Sequence, residues 1–135
     1  MQVQSLSAIT LSTDNMDGML NFYFELNIVF HPKDPEGLVQ VATIGPLELR
    51  LKSQSDLHNK ASKRGISELT FTVHSLQAMV EHLNRKGYPM AKAPDNQKNE
   101  TRVSYRDPDG NLIILVEPPP PACFPNMNSS QPNLK

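Results

Sequence analysis

Ser-Ala-Ile-Thr-Leu-Ser-Thr-Asp-Asn-Met-Asp-Gly-Met-Leu at 7–20 returns sixty positions later as Ser-Glu-Leu-Thr-Phe-Thr-Val-His-Ser-Leu-Gln-Ala-Met-Val at 67–80. Ser7, Thr10 and Met19 recur as Ser67, Thr70 and Met79, while Ile9, Leu11 and Leu20 exchange for Leu69, Phe71 and Val80. Self-similarity at so long a period marks a duplicated supersecondary unit. Two such units share a core, and the seam between them is where a site is expected.

Each copy opens with alternating apolar and polar residues. Ile9 and Leu11 point one way, Ala8, Thr10 and Ser12 the other; Leu69, Phe71 and Val73 oppose Glu68, Thr70 and Thr72. An amphipathic helix follows, with the stripes Met16, Met19, Leu20, Tyr23 and Leu76, Met79, Val80, Leu83. Asn15 and Ser75 are the expected N-caps, and Gly87 the expected close of the second helix. Three more strands are predicted in each copy, at about 27–32, 38–44 and 46–52, then 88–92, 101–106 and 111–117. Gly45-Pro46 and Asp107-Pro108-Asp109-Gly110 mark the last turn of each.

The predicted class is α+β: two βαβββ modules forming a cup-shaped, mixed, curved sheet with helices outside. The first module covers 1–52, a Ser-, Lys- and Asn-containing connector 53–65, the second module 66–117, and a Pro- and Asn-rich tail 118–135 that is expected to be flexible.

Net charge is −1 with both signs interleaved, which argues against nucleic acid or an anionic membrane as partner. No apolar stretch approaches the roughly 20 residues of a membrane span, and no charged-then-apolar leader opens the chain. The single cysteine, Cys123, cannot form an internal disulfide, and no base or cation beside it makes it reactive. A cytoplasmic location is the expectation.

The paired modules, Asn21-Phe22-Tyr23 late in the first helix, and Tyr105-Arg106-Asp107-Pro108-Asp109-Gly110-Asn111 before the last strand resemble the vicinal oxygen chelate superfamily. That superfamily includes glyoxalase I, extradiol dioxygenases, methylmalonyl-CoA epimerase, and fosfomycin- and bleomycin-resistance proteins. The resemblance covers about residues 4–117. It implies the fold much more firmly than any one reaction.

Metal-dependent relatives draw ligands from the first and last strands of each module. The resemblance carries these positions onto Ala8, Glu48, Glu68 and Ile114, so one position in each module holds a hydrocarbon side chain with no lone pair. Catalytic sites for divalent metals usually take about three protein ligands and keep one position open. Two carboxylates without an imidazole make at best a weak, hard-oxygen site. No metal and no other cofactor is therefore expected; the alternative is a weakly held divalent ion.

Alternation places Glu48 and Arg50 on one strand face and Glu68, Thr70 and Thr72 on another. Three readings remain open: an Arg50–Glu48 ion pair with Glu68 in solvent, recognition of a polar ligand, or acid–base catalysis by Glu68 or Glu48. The candidate ligand contacts are Thr10, Ser12, Arg50, Thr70, Thr72 and Tyr105, with Arg102, Ser104 and Arg106 on one face of their strand as an alternative charged edge. His31, His58, His74 and His82 have no metal-ligand spacing and read as surface residues.

The leading function is a small-molecule-binding protein that works without the usual metal. The alternative is a lyase-, isomerase- or dioxygenase-type enzyme acting on a small oxygenated metabolite. Exposed strand edges lead to the expectation of a homodimer, with the modules paired within one chain or across two.

Overall fold

Residues 1–54, 67–97 and 100–119 are described by a computed structural model of the chain. Strand β1 (Ala8–Thr13), helix α1 (Met16–Phe24) and strands β2 (His31–Pro32), β3 (Val39–Ile44) and β4 (Leu47–Ser53) build the first module. Strand β5 (Glu68–Thr72), helix α2 (Leu76–Arg85) and strands β6 (Lys92–Gln97), β7 (Glu100–Arg106) and β8 (Leu112–Glu117) build the second. Each module makes one four-stranded sheet, ordered β1-β4-β3-β2 and β5-β8-β7-β6. The first and last strands pair in parallel, Ala8 with Glu48 and Glu68 with Leu112, while the other pairings are antiparallel. A parallel pair needs a long crossover, and the helix with the two intervening strands supplies it. The βαβββ reading holds in both copies. The expected connector and tail lie mostly outside the described residues.

Both helices start as their sequences predict. The Asn15 side chain accepts the Gly18 N–H at 3.2 Å, and the Ser75 hydroxyl accepts that of Ala78 at 3.2 Å. Gly18 is needed for the larger cap, since a Cβ there would lie 2.5 Å from the Asn15 amide nitrogen. The helix ends also match. The Ile28 N–H bonds back to the Tyr23 carbonyl and the Tyr88 N–H to the Leu83 carbonyl, each at 3.0 Å. Asn27, at φ 64°, and Gly87, at φ 89°, take the left-handed turn that this closure requires.

These closures explain where the strand prediction failed. The helix exits take up the chain as far as Ile28 and Tyr88, so β2 shrinks to His31–Pro32 and β6 starts at Lys92, just after the Ala91 N–H bonds to the Ser104 carbonyl of β7 at 2.7 Å. The register of β6 against β7 shifts between Lys92 and Asp95, around Pro94, which has no N–H to donate. Strand β7 is internal, flanked by β8 and β6, which corrects the expectation of a solvated edge carrying Arg102 and Arg106.

The helix-facing residues of the two sheets close on one core that the modules share. Met19, Phe22 and Tyr23 of α1 are fully buried with Leu51, Leu83 and Ile113. Each such side chain contributes about 1.5–3 kcal/mol on leaving water. Phe22 meets Tyr88 edge-on at 5.3 Å between ring centres, and Tyr23 meets Phe71 at 6.5 Å. These contacts cross from one module to the other, so the modules pair within a single chain. The Met residues of the repeat serve as core filler, with Met16 and Met79 packed against the buried cluster.

Candidate functional site

The face turned away from the helices is fixed by register. In the first module Ala8 lies beside Glu48, Thr10 beside Arg50 and Ser12 beside Lys52. In the second, Glu68, Thr70 and Thr72 lie beside Leu112, Ile114 and Val116. The two faces differ in chemistry. The last strand of the first module carries Glu48, Arg50 and Lys52, and its counterpart in the second carries three hydrocarbons.

Glu48 and Arg50 form the ion pair that was one of the three readings. Arg50 Nε donates to Glu48 Oε1 at 2.6 Å, with each side chain 35% exposed. At that exposure the pair is worth no more than about 1 kcal/mol. Glu68, Thr10, Thr70 and Thr72 are exposed and Ser12 is half-buried. The equivalence of Glu48 and Ile114 also shifts. Pairing makes Leu112 the counterpart of Glu48, because each lies beside the first residue of its module's opening strand, and Ile114 the counterpart of Arg50. Either way the fourth ligand position holds hydrocarbon. Among the described residues no three His, Cys, Asp or Glu side chains group as a metal site. Of the four positions that the resemblance carries over, Glu48 and Glu68 alone bear oxygen donors.

Tyr105 does not belong with these residues. It is fully buried in the shared core, on the opposite face of β7 from Ser104. Its hydroxyl finds no hydrogen-bond partner among the described residues, and burial pushes the phenol's pKa up. A ligand on the sheet's open face has no access to it.

The acidic turn, in contrast, is architectural. Asp107 is buried, and its carboxylate accepts the Asn111 and Asp109 backbone N–H groups, the Asn111 side-chain amide at 2.8 Å and the Tyr23 hydroxyl at 2.8 Å. Asn111 Oδ1 in turn accepts the Ser67 N–H at 2.9 Å. One carboxylate thus ties α1 of the first module to the β7–β8 turn and, through Asn111, to the start of β5. Burial first, then the Asp107 charge and hydrogen bond, drive the Tyr23 phenol far above its ordinary range. The Phe-Tyr pair and the Asp-Pro-Asp-Gly-Asn turn are both conspicuous in the sequence. Their union, 84 residues apart, is not.

A second link between modules escaped sequence reading. His82, expected as an ordinary surface residue, places Nε2 2.7 Å from Glu25 Oε1, joining α2 to the end of α1. Glu25 carried no sequence signal. His31 pairs with Val41 on the open face and stays exposed, and His74 is exposed as expected. His58 and Cys123 lie outside the described residues.

Two adjoining clefts of about 440 and 240 Å³ lie where the modules meet, between the end of α1, the first half of α2 and β5. Of the predicted site residues only Thr72 lines them. No described helix is long and apolar enough to cross a membrane.

Two four-stranded mixed sheets, each with a crossover helix and joined about a common core, define the class of paired βαβββ proteins. The model of the Glyoxalase/Bleomycin resistance protein/Dioxygenase superfamily matches residues 5–115, and the chain belongs to that family. Among similar solved structures, a glyoxalase/dioxygenase from Nostoc punctiforme has a TM-score of 0.71 at 18% identity, covering 86% of this chain and 92% of the other. A virulence protein from Salmonella typhimurium reaches 0.70 at 20% identity, covering 87% and 99%. A lactoylglutathione lyase from Agrobacterium tumefaciens reaches 0.67 at 18% identity, covering 86% and 95%. No curated protein sequence matches the chain significantly. At these identities the likeness speaks for the fold alone.

Proposed function

We propose that this chain is a small-molecule-binding member of its superfamily, using the open face of its sheets without a resident divalent metal. The observation that carries the reading is the ligand face itself. Ala8 stands beside Glu48, and Leu112 and Ile114 stand beside Glu68 and Thr70, so each module lacks a donor where metal-dependent relatives have one. What remains is a polar strip of Thr10, Glu48 and Arg50 in the first module, while in the second Leu112 is half-buried and Ile114 and Val116 are buried; the polar strip suits a ligand with a polar group. Neither carboxylate is enclosed. Glu68 is exposed and Glu48 is tied to Arg50, which supports binding over proton transfer.

Elemental analysis of purified protein should find well under one Zn, Ni, Mn or Fe per chain. A ratio near one that is lost in Glu48→Ala would overturn the metal-free reading. Fragments found by ligand-observed NMR should weaken in Arg50→Met and Glu68→Ala while both variants melt within a few degrees of the parent. Fragments indifferent to both substitutions would place binding elsewhere. Two copies are expected to associate through the outer strands β2 and β6, each paired on one side only among the described residues. Light scattering should then read roughly 30 kDa, twice the chain mass of 15.1 kDa, and a monomer at tens of micromolar refutes the association.

A further inference from the structure

We propose a second small-molecule site at the helix-side junction of the modules, taking a primary amine with an aryl or short alkyl body. The two adjoining clefts share Leu26, Asn27, Thr72, Val73 and Met79, and so form one continuous, two-chambered groove. The inner chamber, about 240 Å³, is walled by Ile28, Val29, Ile44, Phe71 and Leu115. A dry apolar cavity of about 150 Å³ is enough to hold benzene, so this chamber has room for a phenyl ring and a short linker. The Phe71 ring adds an aromatic wall for it.

The outer chamber sets the head group. Its lining includes Glu25, His74, Ser75 and His82, and Glu25 is the sole carboxylate among the residues that line it. The Glu25 side chain is only 18% exposed. Its Oε1 is engaged by His82 Nε2, and its Oε2 has no hydrogen-bond partner among the described residues. A partly desolvated carboxylate with a spare oxygen favours a charged N–H donor, because a charge-assisted bond is about twice as strong as a neutral one. No Lys or Arg lines either chamber to compete for it. An ammonium at Glu25, with its apolar body directed past Thr72 towards Phe71, uses both chambers at once. The argument is independent of the open-face site, whose charged residues line neither cleft.

The test is titration of ¹⁵N-labelled full-length chain with 2-phenylethylamine, 2-phenylethanol and 3-phenylpropionate, which share an aryl body and differ in head group. The amine should bind about tenfold more tightly than the alcohol, and the carboxylate should not saturate. Amide shifts should centre on Glu25, Asn27, Thr72 and Val73. Glu25→Gln keeps an acceptor for His82 and should cut the amine's advantage to below threefold at an unchanged melting temperature. Val29→Gln, neutral and at a position 50% exposed, should weaken amine and alcohol alike without unfolding the chain. Equal affinity for amine and alcohol overturns the proposal, as does no saturation by the amine at 10 mM. So do shifts centred on Thr10 and Arg50, which would move the amine to the open face.

Discussion

Replacing Tyr23 by Phe deletes one oxygen from the interior and tests whether the Asp107 network holds the modules together. The ring stays, so its contacts with Phe22 and Phe71 survive, and the change isolates a single bond of 2.8 Å to a buried carboxylate. Hydrogen bonds to charged groups contribute about 1.5–3 kcal/mol. Asp107 Oδ2 keeps the Asn111 amide as a donor, which holds the loss to about 2 kcal/mol. That is roughly a thirtyfold fall in the folded-to-unfolded ratio, and a drop in Tm of about 6–10 °C for a chain of this length.

The same phenol gives a second, independent readout. Its pKa is raised in the folded protein, so at pH above about 10 the unfolded chain has lost this proton while the native chain keeps it. Stability from this group is complete below the unfolded value and falls as pH rises beyond it, by up to about 1.4 kcal/mol per pH unit. Tyr105 adds a decline of the same sign. Urea melts of the parent and Tyr23→Phe from pH 8 to 11 should therefore converge, the variant losing stability with a shallower slope. A Tm loss under 2 °C, or parallel alkaline slopes, would refute the lock.

Tyr105→Phe should leave Tm unchanged or raise it, by up to about 1 kcal/mol in stability, because an unpaired buried hydroxyl is removed; a clear loss in differential scanning calorimetry would mean that the hydroxyl has a partner. Asn27→Gly relieves the one non-glycine residue with positive φ among the described residues and copies its repeat mate Gly87; chemical denaturation should show a gain of about 0.5–1 kcal/mol. Gly18→Ala raises intrinsic helix propensity yet should destabilise by about 1 kcal/mol, since the new methyl displaces the Asn15 cap; a gain in stability would show that the cap is dispensable. Arg50→Ala should change stability by less than about 1 kcal/mol at its exposure, and a larger loss would mark the Glu48 pair as structural.

The repeat at 7–20 and 67–80, its apolar periodicity and its caps determined the two modules, because strand alternation and helix stripes are local and survive duplication. Helix starts at Asn15 and Ser75 were legible for the same reason. The missing donors at Ala8 and Ile114 were legible once the resemblance had assigned the ligand positions. Tertiary structure decided the rest. Strand β2 is short because Ile28 spends its N–H on Tyr23, and β7 is internal because β6 pairs with it. Tyr105 leaves the proposed site because its face of β7 is packed into the shared core, where the ring is fully buried. Glu25 meets His82 from 57 residues away, and Tyr23 meets Asp107 from 84. No periodicity encodes such pairs, since they exist only when two separately folded faces are pressed together. The groove between them is decided in the same way, by how the modules dock.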